Sequence, residues 1–151
     1  MERKTLYLDA CCLNRLFDDQ TQDRVRMETE AIMLILKRSQ EKRIRLIGSE
    51  VLVLELQKTP NFSRRIKLLS LLQYVESFVK ITPHTKLRAD DFMALGMSAF
   101  DAFHVASAEK ENVNCLLTTD DEMLKIYQQH KIIFRIEIQN PLVWIKESQL
   151  I

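Results

Sequence analysis

Glycine and proline are scarce in this chain, at two and three among 151 residues. That shortage excludes long flexible linkers and the glycine-rich loops that cradle phosphates. Cysteine is sparse too. Cys11, Cys12 and Cys115 are odd in number and form no C-x-x-C pair. Free thiols in a reducing cytosol are therefore expected, not a disulfide frame or a thiolate zinc site. No apolar run reaches the roughly 18 residues of a membrane span. The amino end, MERKTLYLDACC, has no signal-peptide core. Net charge is almost absent, since 22 Lys and Arg oppose 21 Asp and Glu. The total therefore names no partner. A nucleic-acid binder of this composition must sort its charges in space, acids in a pocket and bases around it.

What is present is a large apolar share, 46%, enough for a sizeable core in one domain spanning 1–151. Residues 5–9 (TLYLD) read as a buried strand ending in an acid. Residues 24–42 follow a helical period, with Val25, Ile32, Ile35 and Leu36 on one side and Arg24, Glu28, Lys37 and Arg38 elsewhere. Residues 44–48 read as a second strand. Ser49 can cap a helix that runs to Thr59-Pro60. A long amphipathic helix is expected over 64–78, and a third strand over 78–82. Further helices are expected over 85–96, ending at Gly96, over 99–112 and over 121–130. Strands are expected at 114–118 and 132–138. NPLVWIKE follows, with Trp144 anchoring the end of the chain against the fold. This alternation predicts an α/β fold with a central parallel sheet covered on both faces.

In such sheets ligands bind outside the carboxyl ends of the strands. Asp9 ends the first strand, and Asp120 lies just past the 114–118 strand. Glu55 lies about two turns into the helix after the second strand. Asp101 begins the helix that leads into the 114–118 strand. Right-handed crossovers put helix starts and strand ends on one rim, so these four acids can converge. Two carboxylates about 4 Å apart repel by roughly 4 kcal/mol at an effective dielectric near 20. Such a cluster must take up protons or a cation. Oxygen ligands without His or Cys favour Mg²⁺ or Mn²⁺, which suit phosphodiester hydrolysis.

Structural readings stand beside these. Asp9 can cap the next helix. Ser98-Ala-Phe-Asp101 and Thr119-Asp-Asp-Glu122 both have capping-box spacing, with acids where a helix dipole favours them. Glu55 resists such a reading best, because it lies inside the apolar run Val51-Leu-Val-Leu-Glu55-Leu56. Glu50 reads as solvated. His104 reads as a packed or hydrogen-bonded histidine before a substrate contact. Asn14 and Arg15 are either phosphate contacts or ordinary helix-start polarity. Arg64, Arg65 and Lys67 crowd a first turn against the dipole, which suits an anionic partner or a solvated face.

At these residues the chain resembles the PIN-domain family, named for the N-terminal part of PilT. The resemblance rests on LYLDACCLNRLF (6–17), Ser49-EVLVL-Glu55-Leu56, Asp101-Ala-Phe-His104-Val-Ala106, LLTTD ending at Asp120, and NPLVW (140–144). These pieces occur in the family's order over nearly the whole chain. The resemblance implies a three-layer α/β/α sandwich and cleavage of RNA dependent on Mg²⁺ or Mn²⁺. Asp9, Glu55, Asp101 and Asp120 would be the catalytic and metal-binding acids, with Asp121 auxiliary to Asp120. Many small bacterial members resemble VapC toxins held inactive by an antitoxin, and members are often homodimers. A cytoplasmic location, without a membrane, goes with this reading.

The competing reading is a PIN-like fold that binds RNA or protein without catalysis. Other α/β enzymes fit less well. The first βα turn lacks the glycines of a dinucleotide-binding domain. Asp9-Ala-Cys11 lacks the D-x-D of a haloacid-dehalogenase site. The paired acids of a receiver domain are not evident.

Overall fold

A computed structural model describes residues 3–148. Five parallel strands form one sheet in the order β3-β2-β1-β4-β5. They are β1 (Lys4–Leu8), β2 (Ile44–Ser49), β3 (Ser77–Val79), β4 (Cys115–Leu117) and β5 (Glu137–Gln139). Strands β1, β2 and β3 progress one way across the sheet. The chain then crosses back to place β4 on the other side of β1. The gap between β1 and β4 is therefore the topological switch point, where such sheets open a crevice.

Side chains along each strand alternate between two cores, as the two-residue period of a strand requires. Leu6, Leu8, Ile44, Leu46, Cys115 and Leu117 face one layer of helices. That layer holds α1 (Ala10–Arg15), α2 (Asp23–Gln40), α3 (Glu50–Gln57), α4 (Phe62–Ser70) and α8 (Pro141–Ser148). Tyr7, Ile47, Leu116 and Ile138 face the other layer, made of α5 (Pro83–Met93), α6 (Ala99–Lys110) and α7 (Asp121–Gln129). The three-layer α/β/α arrangement is the one expected. Trp144 is buried in the first core, so α8 is anchored as expected. Among the described residues no helix is long and apolar enough to cross a membrane.

Three expectations are corrected. The helix expected over 64–78 stops at Ser70. The chain then makes a 3₁₀ turn over Leu71–Tyr74 and enters β3 at Ser77. Leu71, Leu72 and Tyr74 still pack against the core, so the apolar pattern outlasts the α-helix. The final strand is shorter than 132–138. Lys131–Ile133 form a 3₁₀ turn with Ile132 at 97% exposure, and only Glu137–Gln139 pair with β4. Glu28, which lies off the apolar side of α2, is enclosed all the same. It is buried between Arg15 at 2.9 Å and Arg24 at 3.2 Å, with the Asn140 amide donating to it. The 85–96 helix ends at Met93, and Gly96 follows with φ 101°, a conformation that favours glycine.

Candidate active site

Four helices begin at the carboxyl rim of the sheet, and each is capped by a side chain discussed above. Asp9 follows β1 and caps α1, its Oδ1 accepting the Cys12 N–H at 3.0 Å. Its own N–H donates to the Leu117 carbonyl at 3.3 Å, which ties it to the end of β4. Ser49 ends β2 and caps α3, accepting the Leu52 N–H at 3.0 Å. Ser98 caps α6 through the Asp101 N–H at 3.3 Å. Asp120 caps α7 and accepts the Glu122 N–H at 2.9 Å. The α7 cap is therefore Asp120, not Thr119. Helix amino ends favour negative charge, so capping and clustering act together here.

Asp9 is 1% exposed, and its Oδ2 has no hydrogen-bond partner. Burial pushes its pKa up. The His104 ring, the Thr118 hydroxyl and the Cys12 N–H partly oppose that, while the charge of Glu55 adds to it. Burial pushes the Asp101 carboxyl up to about 6, helped by the charges of Asp9 and Asp120 and opposed by Ser98 and His104. Cys11 carries the mark of the same groups. Burial raises its thiol, and Asp9, Asp101, Asp120 and Glu55 all push it further in the same direction. One side chain thus feels all four acids.

Among the described residues, no Lys or Arg forms an ion pair with Asp9, Asp101 or Asp120. Glu55 Oε1 lies 2.6 Å from His104 Nε2. Asp121 is different. Its two oxygens accept from the two arms of Arg24, and this pairing holds its carboxyl below the ordinary value. The structure does not bring Asp121 to the cluster. Nor does any group of three His, Cys, Asp or Glu among the described residues stand ready to hold a metal ion. Glu55 is drawn to His104, and Asp120 to the start of α7.

Other candidates are engaged inside the fold. Asn14 donates to the Ala10 carbonyl and accepts from Arg64. Arg15 meets Asp18 and Glu28. Arg65 donates to the Thr59 carbonyl and covers the Phe62 ring. None of these is free for an anionic partner as it stands. His104 is fully buried and hydrogen-bonded at both nitrogens, as a packed histidine should be. The sequence reading missed Tyr7, whose buried hydroxyl bonds both His104 and Ser49. A signal was available: Tyr7 and Asp9 share the odd register of one strand, and a buried phenol needs a partner. A groove of about 1120 Å³ lies at the opposite rim, lined by Lys4, Arg43, Asn114, Tyr127 and Trp144. It is remote from the acids, beneath the strand starts.

The PIN domain family matches residues 6–129 of the chain. The chain belongs to that family. This PIN domain is similar in structure to VapBC-1 from nontypeable Haemophilus influenzae, with TM-score 0.59 and 16% identity over 91% of this chain and 98% of that one. It is similar also to VapBC2 from Rickettsia felis, solved bound to a DNA fragment from its promoter. There the TM-score is 0.58 and the identity 14%, over 90% of this chain and 98% of that one. At such identities the likeness establishes the shared fold. No curated protein matches the chain.

Proposed function

We propose that this PIN domain is a divalent-metal-dependent ribonuclease that hydrolyses RNA phosphodiester bonds at Asp9, Glu55, Asp101 and Asp120. One observation carries the reading. A buried Asp9 carboxylate with an unpartnered oxygen sits beside an Asp101 whose proton is held up to about pH 6 by burial and by Asp9. No cationic side chain among the described residues neutralises that pair. The donors are all hard oxygens, which fits Mg²⁺ or Mn²⁺.

Bound there, such an ion supplies a water of lowered pKa and neutralises charge on a scissile phosphate. Asp9, Asp101 and Asp120 would hold it through their carboxylates. Glu55, steered by His104, completes the site or orients the attacking water. Asp121 is left out of the set because Arg24 holds both its oxygens. The likeness to VapBC proteins supports an antitoxin partner, and a homodimer and a cytoplasmic location are proposed with it.

The test is Asp9→Asn, which keeps the helix cap and removes the charge. It is expected to abolish Mn²⁺-dependent RNA cleavage while leaving the circular dichroism unchanged. Undiminished cleavage refutes the assignment. The competing reading, a binding module, draws on the lack, among the described residues, of three donors poised for an ion. RNA binding without Mn²⁺ uptake in calorimetry, and without cleavage, would favour it.

A further inference from the structure

His104 joins two hydrogen bonds into a longer chain. Its Nδ1 lies 2.6 Å from the Tyr7 hydroxyl, and its Nε2 lies 2.6 Å from Glu55 Oε1. The Tyr7 hydroxyl also lies 2.6 Å from Ser49 Oγ. Ser49, Tyr7 and His104 are each fully buried. The Tyr7 and His104 rings meet edge to face, with centroids 5.6 Å apart. Three positions from β1, the β2 end and α6 thereby converge on one carboxylate of α3.

Counting hydrogens gives this chain a direction. The Ser49 oxygen already accepts the Leu52 N–H, and the acceptor in reach of its own hydrogen is Tyr7. Ser49 therefore donates to Tyr7. The single phenol hydrogen then goes to His104 Nδ1, which is bare in the neutral ring. The ring hydrogen is left on Nε2, where it donates to Glu55 Oε1. Reversing the chain would strand the buried Ser49 hydroxyl hydrogen without an acceptor, which folded proteins avoid.

We propose that Ser49, Tyr7 and His104 are positioning residues that lock His104 as the Nε2–H tautomer, pin Glu55 Oε1, and leave Oε2 as the oxygen presented to a divalent cation. The proposal rests on the reading above, in which Glu55 serves a metal site. Partners that orient a ligating group in this way commonly change metal affinity about 10–100-fold when removed.

Two measurements on the full chain test it. The first is nitrogen-15 NMR of histidine-labelled, metal-free protein, which is expected to show His104 protonated at Nε2 and bare at Nδ1. A proton on Nδ1 overturns the proposal. The second is Mn²⁺ calorimetry. Tyr7→Phe is expected to weaken Mn²⁺ binding about tenfold. In a Glu55→Gln background it should change affinity by less than about twofold, because the effect runs through Glu55. His104→Gln, whose amide nitrogen reaches the place of Nε2, should recover most of the affinity lost in His104→Asn. Wild-type affinity in Tyr7→Phe, or an additive loss beside Glu55→Gln, overturns the proposal. If Tyr7→Phe does not fold, the two His104 variants and the NMR decide. A wild type that binds no Mn²⁺ ends the ribonuclease reading and the cation part of this one, while the tautomer still judges the chain of hydrogen bonds.

Discussion

Arg24 holds Asp121 through both arms of its guanidinium, at 2.8 Å each, one residue from Asp120. The same guanidinium donates to the Thr119 carbonyl at 3.2 Å. Two adjacent acids are thus divided, one to a cation of the fold and one to the rim. Asp121→Ala is expected to leave RNA cleavage within about threefold of wild type. It should shift stability by about 1 kcal/mol or less, because the pair is largely exposed. Asp120→Ala is expected to reduce cleavage by roughly a hundredfold or more. Parallel assays of the two variants check this, and a larger loss from Asp121→Ala would reverse the assignment.

The raised Asp101 carboxyl gives stability a pH dependence. Its pKa moves from the ordinary 3.8 up to about 6. The folded protein therefore grips this proton more tightly than the unfolded chain does. The stabilising contribution is complete below about pH 4 and is lost as pH rises through 6. Without metal, the melting temperature of wild type minus that of Asp101→Asn is expected to fall between pH 4 and 7. Added Mg²⁺ should reverse the trend, because it binds the ionised form. A difference independent of pH would show that Asp101 titrates normally.

Cys11 offers a probe of the cluster that needs no metal and no substrate. Its thiol is half-buried, while Cys12 and Cys115 are buried. Burial holds it in the unreactive thiol form, and the charges of the four acids add to that. Removing one of these charges should release it in part. Alkylation of Cys11 by iodoacetamide at pH 8 is expected to be slow in wild type and about 3–10-fold faster in Asp101→Asn. Equal rates would mean that the acids do not converge on this thiol.

Arg64 is a structural clamp and not a free basic residue. It donates to Asn14 Oδ1 at 3.1 Å, to the Asn14 and Phe17 carbonyls at 3.0 Å, and to Asp18 at 2.8 Å. These bonds fasten the first turn of α4 to the end of α1. Arg64→Ala is expected to destabilise the fold by about 2 kcal/mol in urea unfolding. Arg64→Lys should recover little, since one ammonium cannot span the same four acceptors. A loss below about 0.5 kcal/mol would return Arg64 to the solvated face considered from sequence.

The parallel sheet was legible because apolar runs alternate with helical periods, and β1 announces itself by ending abruptly in Asp9. That order put Asp9 just after β1 and Asp120 at the start of α7, where the structure has them. Element ends were harder. In LLQYVESF, Leu71 and Leu72 pack on the core from a 3₁₀ turn, and such a turn has nearly the spacing of a helix. The burial of Glu28 had no local signal, because its neighbour Asn140 lies 112 positions away. The bond between Tyr7 and His104 spans 97 positions. Pairings at such range leave no local pattern, so they emerge only once the chain is folded.

Glu55 rides on a helix of one layer and His104 on a helix of the other. Their bond joins the two layers beside the edge-to-face contact of His104 with Tyr7. A chimera that grafted one helical layer from a distant homologue could keep both cores well packed and still misalign that single contact by a fraction of a turn. Such hybrids should fold before they function, and the slippage between layers, not the loss of any acid, would be what disables them.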